Sequence, residues 1–179
     1  YCPDHRVGNT LPRVELTDDV WSRLEPLVDQ ATAASFHGIS EFFLDKDFFR
    51  ILDRCARAGV ILSLNTNGSV CTDRHIAALA DYPWGIAINF SLDAATEATY
   101  RHIRGWDFPR VLRNIERYME SFAPRRLRTY VSISYVVCKS NVDEMPAAVE
   151  LGHRLGLDCV KFYPLLEDGD LNWRIAAHD

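Results

Sequence analysis

Short runs of branched apolar residues alternate along this chain with longer segments whose apolar residues recur at helical spacing. This alternation restricts the fold most, because strands separated by helices pair in parallel through right-handed crossovers. Strands are predicted at Ala33 to His37, Val60 to Leu64, Ile86 to Phe90, Arg128 to Val137 and Asp158 to Tyr163. At least one helix is predicted before each strand, so the chain belongs to the α/β class.

Helices are predicted between these strands and before the first one. The first begins at the capping residue Thr17, and Pro26 inside it is expected to kink or break it. The others are predicted at Asp45 to Ala58, from Thr72 or Asp73 to Ala80, at Thr96 to Ile103, at Phe108 to Phe122 and at Asn141 to Leu155. With 179 residues, the chain is shorter than the roughly 250 of a complete eight-stranded barrel. A partial barrel is predicted, and an open doubly wound sheet is the alternative.

Composition excludes several classes of protein. A hydrophobic fraction of 47% with 25% charged residues is typical of a globular chain. The net charge of −5 lacks the basic excess of a nucleic-acid binder, and no apolar run reaches the ~20 residues of a membrane helix. Five cysteines without a C-x-x-C pair fit neither a disulfide framework nor a structural zinc site. A cytoplasmic location is therefore expected, with neither nucleic acid nor membrane as a partner.

Polar residues follow the predicted strands, where both architectures bind their ligands. Glu41, Asn65, Ser91 and Asp93 would meet at this rim. Glu41 suits an ammonium group, and the other three suit ribose hydroxyls or a carboxylate. The alternative is that these residues only cap helices and fill turns. No phosphate-binding glycine motif accompanies them.

Several segments follow one another along the chain in a recognisable order. They are Gly38-Ile39-Ser40-Glu41, Leu62 to Gly68 with its Thr-Asn-Gly loop, Ser91-Leu92-Asp93-Ala94 with Tyr100 and Ile103-Arg104-Gly105, Val111 to Ile115, and Val136-Val137 with Asn141 and Glu144. In this order they resemble the radical S-adenosylmethionine (radical SAM) superfamily, most closely its SPASM/twitch-type peptide-maturase and sulfatase-maturase branches. Ser40 and Phe42 stand where the family's Gly-Gly-Glu-Pro segment has Gly and Pro.

The resemblance implies a partial (β/α)6-type TIM-like barrel, truncated at the N-terminus. Residues 1–179 would then be a fragment of the radical SAM core, without the first strand and the C-terminal extension. Cys2 would be the third cysteine of the family's C-x-x-x-C-x-x-C loop, whose first two would lie upstream of residue 1. Three such thiolates hold a [4Fe-4S] cluster in the family, and S-adenosylmethionine binds its fourth iron and yields a 5′-deoxyadenosyl radical that abstracts hydrogen.

The same resemblance implies roles for individual residues. Tyr1 would lie near the adenine, and Ser40 and Glu41 would face the methionine ammonium. Asn65, Ser91 and Asp93 are candidates for the ribose or a carboxylate. Arg104 is the first choice for the methionine carboxylate, ahead of Arg101.

Two other functions remain open at this point: a cluster-free α/β-barrel lyase or isomerase, and a degenerate, non-catalytic peptide-binding barrel. Two cysteines upstream of Tyr1 would favour the radical SAM enzyme. Its implied partners are a peptide or small-molecule substrate and an electron donor such as ferredoxin or flavodoxin. Among the other cysteines, Cys71 is expected to be the most exposed, because it lies in a loop.

Overall fold

The strands form one parallel sheet in their order along the chain. The computed structural model describes residues 17–37 and 41–165. In it the sheet order is β1-β2-β3-β4-β5, and each strand pairs in parallel with the next. The strands are β1 (Ala33–Phe36), β2 (Ile61–Thr66), β3 (Ile86–Ser91), β4 (Thr129–Val137) and β5 (Cys159–Pro164).

This strand order decides between the two predicted architectures. A doubly wound sheet reverses its strand order at a switch point, whereas the described sheet runs in one direction from β1 to β5. The α/β class and the partial TIM-like barrel are therefore confirmed.

The helices precede or connect the strands along the chain and pack on one face of the sheet. They are α1 (Asp18–Val28), α2 (Phe48–Ala58), α3 (Asp73–Ala80), α4 (Glu97–Arg104), α5 (Phe108–Phe122) and α6 (Met145–Arg154), with short 3-10 helices at Phe42–Leu44, Ala123–Arg128 and Val142–Glu144. Within the described ranges, no helix is both long and apolar enough to cross a membrane.

Alternation along the strands gives the sheet two different faces. Leu62, Leu64, Ile88, Phe90 and Ile133 are fully buried in the apolar core. Their neighbours in sequence point to the opposite, concave face, because successive side chains of a strand alternate. The concave face carries small polar residues, and it is the face that a barrel turns inward.

Helix α1 corrects one expectation. Its N-cap is Thr17, whose side chain accepts a hydrogen bond from the Val20 amide, as predicted. Pro26 does not break it, and the helix continues to Val28. Arg54 of α2 holds this end of the helix, because it binds the Glu25 carboxylate at 3.0 Å and the Glu25 carbonyl at 3.3 Å.

The segment predicted as one helix from Asn141 to Leu155 is also different. It begins with a 3-10 turn, and the α-helix starts only at Met145. The side chain of Asn141 explains the late start, because it is buried and accepts a 2.7 Å hydrogen bond from the Cys138 amide. Asn141 therefore closes the end of β4 before the helix can begin.

Candidate active site

A polar cavity opens on the concave face of the sheet. Its volume is about 370 Å³, within the range of small-molecule sites. Strands β2 to β5 supply nearly all of its lining, and none of the lining residues is acidic. The lining consists of His37, Ser63, Asn65, Ala87, Ile88, Asn89, Tyr130, Ser132, Ser134, Val136, Lys161 and Tyr163.

Hydroxyl and amide groups connect neighbouring strands across this cavity. Ser132 Oγ donates to Asn89 Oδ1 at 3.0 Å, and Asn89 Nδ2 donates to Ser134 Oγ at 3.0 Å. Ser134 Oγ in turn lies 3.5 Å from Ser91 Oγ. Asn65 is in register with Asn89, which places its amide beside this network. The surface can therefore hydrogen-bond a polar ligand on several atoms at once.

The cavity holds one ammonium group, that of Lys161 on β5. Lys161 Nζ lies 5.2 Å from the centre of the Tyr130 ring, which is a cation–π distance. A hydrogen bond with Cys159 and, secondarily, burial raise the pKa of Tyr130 to about 12, so its phenol is neutral at physiological pH. The phenol therefore does not cancel the charge of the ammonium.

Glu41 joins the end of β1 to the loop after β2. Its Oε1 accepts hydrogen bonds from Thr66 Oγ1 at 2.8 Å and from the Phe43 amide at 3.4 Å. Its Oε2 accepts one from the Asn67 amide at 2.8 Å. A carboxylate has about four acceptor sites, so Oε2 keeps one for a further donor.

Gly68 fixes the shape of the loop that holds Glu41. It has a φ of 72°, and a Cβ at this position would approach Val111 to 3.0 Å and Phe90 to 3.2 Å. Its carbonyl accepts a 2.7 Å hydrogen bond from the buried Asn114 side chain. The Thr-Asn-Gly sequence therefore needs glycine both for its backbone and for its packing against α5.

A second polar cluster, the rim clasp, consists of Asp93, Arg104, Asn141 and Glu144 beyond the ends of β3 and β4. Asp93 is 4% exposed and has a φ of 60°. Its Oδ1 accepts a 2.7 Å hydrogen bond from the Val136 amide, and its Oδ2 forms an ion pair with Arg104. Asn141 Nδ2 donates to the Asp93 carbonyl at 2.9 Å.

Glu144 completes the rim clasp by capping α4. It accepts four hydrogen bonds, from the Ala95 and Thr96 amides and from the Thr96 and Thr99 hydroxyls. Burial alone would raise the pKa of Glu144, but these hydrogen bonds outweigh it and lower the pKa below its usual value. The carboxylate is therefore held ionised by donors of this chain.

Residues 1–152 match the family model of the Radical SAM superfamily. The chain belongs to the radical SAM superfamily. The match includes Glu41, the cavity residues of β2 to β4 and the whole rim clasp. It also includes Tyr1, Cys2 and Ser40, which lie outside the residues that the structure describes. No curated protein matches the chain in sequence.

Solved structures of radical SAM enzymes share the fold. SuiB of Streptococcus suis, bound to S-adenosylmethionine, has a TM-score of 0.69 at 16% identity, over 84% of this chain and 34% of SuiB. Archaeal TYW1 has a TM-score of 0.57 at 12% identity, over 86% of this chain and 58% of TYW1. anSMEcpe with bound AdoMet and the Kp18Cys peptide has a TM-score of 0.59 at 18% identity, over 88% of this chain and 46% of anSMEcpe. The chain thus spans about a third of SuiB and about half of the other two.

The structure separates the predicted site residues into two groups. Asn65 lines the cavity, and the Ser91 hydroxyl lies 3.5 Å from that of the lining residue Ser134. Asp93 and Arg104 instead belong to the rim clasp and pair with each other. Glu41 lies between β1 and the loop after β2.

The structure bears on Cys71, whereas Cys2 lies outside the described residues. Cys71 is buried, at 8% exposure, and burial raises the pKa of its thiol to about 11, so the expectation of an exposed thiol is wrong. Among the described residues, no cluster of three or more His, Cys, Asp or Glu could hold a metal ion. The expected cluster ligand Cys2 lies outside them.

Sequence reasoning missed the concave-face residues Asn89, Ser132, Ser134 and Lys161. Part of the signal was present, because polar residues alternate with apolar ones at Ser63 and Asn65 of β2, Asn89 and Ser91 of β3, and Ser132 and Ser134 of β4. Residues that follow the strands are only part of such a site, because a barrel also presents alternate strand residues to its interior.

Proposed function

We propose that this protein is the core of a radical SAM enzyme that binds a [4Fe-4S] cluster and S-adenosylmethionine at the rim of the barrel and acts on a peptide or small molecule. The observation that carries the proposal is Glu41. Its carboxylate is held by Thr66 and Asn67, yet Oε2 retains an acceptor site. A carboxylate fixed in this way suits the ammonium of the methionine moiety.

The donors and acceptors around the cavity fit the rest of that cofactor. Asn65 and Ser91 carry amide and hydroxyl groups beside the polar network of Asn89 and Ser134. Such groups bind ribose hydroxyls. We assign Asn65 and Ser91 to the ribose, Ser40 to the methionine end beside Glu41, and Tyr1 to the adenine.

Asp93 and Arg104 act differently from the other assigned residues. Because Asp93 already binds the Val136 amide and Arg104, its main effect is to position the end of β4 and the turn after β3. Arg104 keeps a buried Nε–H that has no partner among the described residues. That donor supports its assignment to a carboxylate of the cofactor, with Asp93 orienting the guanidinium.

Cys2 would ligate one iron of the cluster. When bound, the cluster and S-adenosylmethionine supply an electron and a 5′-deoxyadenosyl radical that removes a hydrogen atom from the substrate. The protein's own residues bind the cofactor, orient the substrate on the concave face and shield it from water. The electron would come from a donor such as ferredoxin or flavodoxin in the cytoplasm.

A peptide substrate is the favoured class. SuiB has been solved bound to its precursor peptide SuiA, and anSMEcpe with the Kp18Cys peptide. Both share the fold of this chain, which supports placement in the SPASM/twitch-type maturase branches. A cluster-free barrel and a non-catalytic peptide-binding barrel are the outcomes that the following experiment would reveal.

Calorimetric titration of the reconstituted full-length protein with S-adenosylmethionine tests the proposal. Glu41→Gln should weaken binding by roughly ten- to a hundredfold, because a charge-assisted hydrogen bond is lost. Glu120→Gln, at an exposed position of α5, is the matched control and should leave binding unchanged. Equal affinities for the two variants would show that Glu41 only braces the loop.

Iron and sulfide counts give the second half of the test. Cys2→Ser should lose the cluster after anaerobic reconstitution, because one thiolate ligand is missing. Cys138→Ser is the matched control, since Cys138 Sγ already lies 3.1 Å from the Ser140 hydroxyl and tolerates a polar environment. Full iron loading of the Cys2 variant would overturn its assignment as a ligand.

A further inference from the structure

Lys161 differs from the other lysines of this chain. The sequence contains only three, Lys46, Lys139 and Lys161. Lys46 and Lys139 are exposed in turns, whereas Lys161 is half-buried in β5 and lines the cavity. A lysine that is partly removed from water on a concave face loses hydration, and such a position is uncommon without a partner for its charge.

Within the described part of the chain, the cavity lining offers the Lys161 ammonium no carboxylate. The nearby carboxylate of Asp158 lies outside the lining and accepts a 2.7 Å hydrogen bond from the Val131 amide. The face of the Tyr130 ring orients the ammonium at 5.2 Å but does not neutralise it. The cavity is thus a positively charged, hydroxyl-rich pocket.

The direction of the side chain separates this charge from the rim. Lys161 is in register with Ser134, but its ammonium lies over Tyr130, four residues nearer the start of β4. The side chain therefore runs back along the concave face, away from the strand ends near which Glu41 and the rim clasp lie. The Tyr130 backbone lies four strand residues, about 13 Å, before Ser134, so the ammonium is turned toward the start of β4 and not toward the rim.

We propose that Lys161 binds a carboxylate of the substrate, so that the enzyme acts on a molecule carrying an acidic group, such as a Glu or Asp side chain of a peptide. This inference rests on the proposed function and deepens it. Charge-assisted hydrogen bonds from the ammonium hold the carboxylate, and the hydroxyls of Ser132 and Ser134 border it. The substrate is thereby fixed by one end on the concave face while its reacting carbon faces the rim.

Lysine-selective NMR provides a direct test. Reductive methylation with ¹³C-formaldehyde keeps each lysine cationic, and the signals of Lys46, Lys139 and Lys161 in the full-length protein are assigned with single Lys→Arg variants. The probes are N-acetyl-glutamate α-methylamide and its glutamine counterpart, which differ only by carboxylate and amide. The signal of Lys161 should shift saturably with the glutamate probe and not with the glutamine probe, and the signals of Lys46 and Lys139 should not saturate.

Variants keep the test independent of labelling. Calorimetry with the glutamate probe should show about tenfold weaker binding to Lys161→Met and nearly normal binding to Lys161→Arg, with Lys139→Met as the control. Circular dichroism checks the fold of each variant. Unchanged binding to Lys161→Met, or equal shifts at all three lysines, would overturn the proposal.

A parallel titration with S-adenosylmethionine distinguishes the source of the carboxylate. If the cofactor alone saturates the Lys161 signal, the residue serves the methionine carboxylate and the substrate assignment is wrong. Iron loading and cofactor affinity are measured separately on the Glu41 and Cys2 variants. A failure at Lys161 with normal cofactor binding would therefore refute only this inference, and the converse would refute only the proposed function.

Discussion

The rim clasp and the concave face are both polar, yet they use their polar groups in opposite ways. In the rim clasp, Asp93 is buried, and both of its carboxylate oxygens are bound by groups of this chain. On the concave face, Ser134 and Lys161 are half-buried, and they border a cavity. The polar groups of the rim clasp hydrogen-bond within the chain and stabilise the fold, whereas those of the concave face can still hydrogen-bond a ligand.

The internal hydrogen bonding of a polar group separates structural residues from ligand-binding ones. A buried ion whose acceptors are satisfied internally stabilises a fixed geometry, and removing its partner is costly. A half-buried group beside a cavity exchanges its partner for water at little cost. Stability measurements on matched variants should therefore rank the two regions before any ligand is added.

The largest effect is expected for Asp93→Asn. Asparagine tolerates the positive φ, and its Oδ1 can still accept from the Val136 amide. The change removes the charge that Arg104 pairs with and places an amide donor against the guanidinium. Because the guanidinium is only 26% exposed, the free energy of unfolding should fall by about 2–3 kcal/mol. Urea denaturation measures this change through the midpoint at constant slope.

Asp53→Asn is the matched control for that variant. Asp53 pairs with Arg57 one helical turn away, and both side chains are more than half exposed. Its loss should cost about 0.3–0.5 kcal/mol. If the two variants lose similar amounts of unfolding free energy and Asp93→Asn also binds S-adenosylmethionine more weakly, Asp93 serves ligand binding and not the stability of the fold.

The second effect comes from Glu144→Gln and depends on pH. Because the pKa of Glu144 is lowered in the folded state, its stabilisation is fully present above the usual Glu pKa and is lost as the pH falls through the folded value. At pH 7 the variant should be less stable by about 1–2 kcal/mol, since hydrogen bonds to a charged acceptor weaken.

Denaturation of both proteins at several pH values checks the sign. The difference in unfolding free energy between the wild type and Glu144→Gln should be largest near neutrality and should shrink below about pH 4. Glu150→Gln, exposed on α6, should show no such dependence. A difference that grows on acidification would contradict the role of Glu144 as an ionised cap.

The order of strands was predictable because it depends on patterns that lie within short segments. Alternating strands and helices specify parallel pairing, and Gly59 and Thr72 mark helix ends that the structure confirms. The partners of Asp93 were not predictable, because a carboxylate after a strand can cap a turn or bind a ligand. Only the proximity of Arg104 and Val136 decides which role it has in the fold.

Two failures have a common physical cause. Cys71 follows a loop, but that loop packs into the core beneath α5, and loop position alone does not reveal what covers it. Lys161 lies in a segment that reads as a buried strand, since strands covered by helices on both faces are apolar throughout. A partial barrel has helices on one face only, so polar residues such as Lys161 occupy the other.

The smallest effect is expected on the concave face itself. Ser134→Ala removes the acceptor of Asn89 Nδ2 and a 3.5 Å contact with Ser91, but water from the cavity can replace both. The free energy of unfolding should change by less than about 1 kcal/mol. Ser132→Ala is the comparison, because Ser132 is only 1% exposed and water less easily takes the place of its hydroxyl beside Asn89. A cost for Ser134→Ala as large as that for Asp93→Asn would mean that the hydroxyls of the concave face hold the sheet together. The distinction between the two regions would then fail, and with it the reason for expecting a substrate on this face.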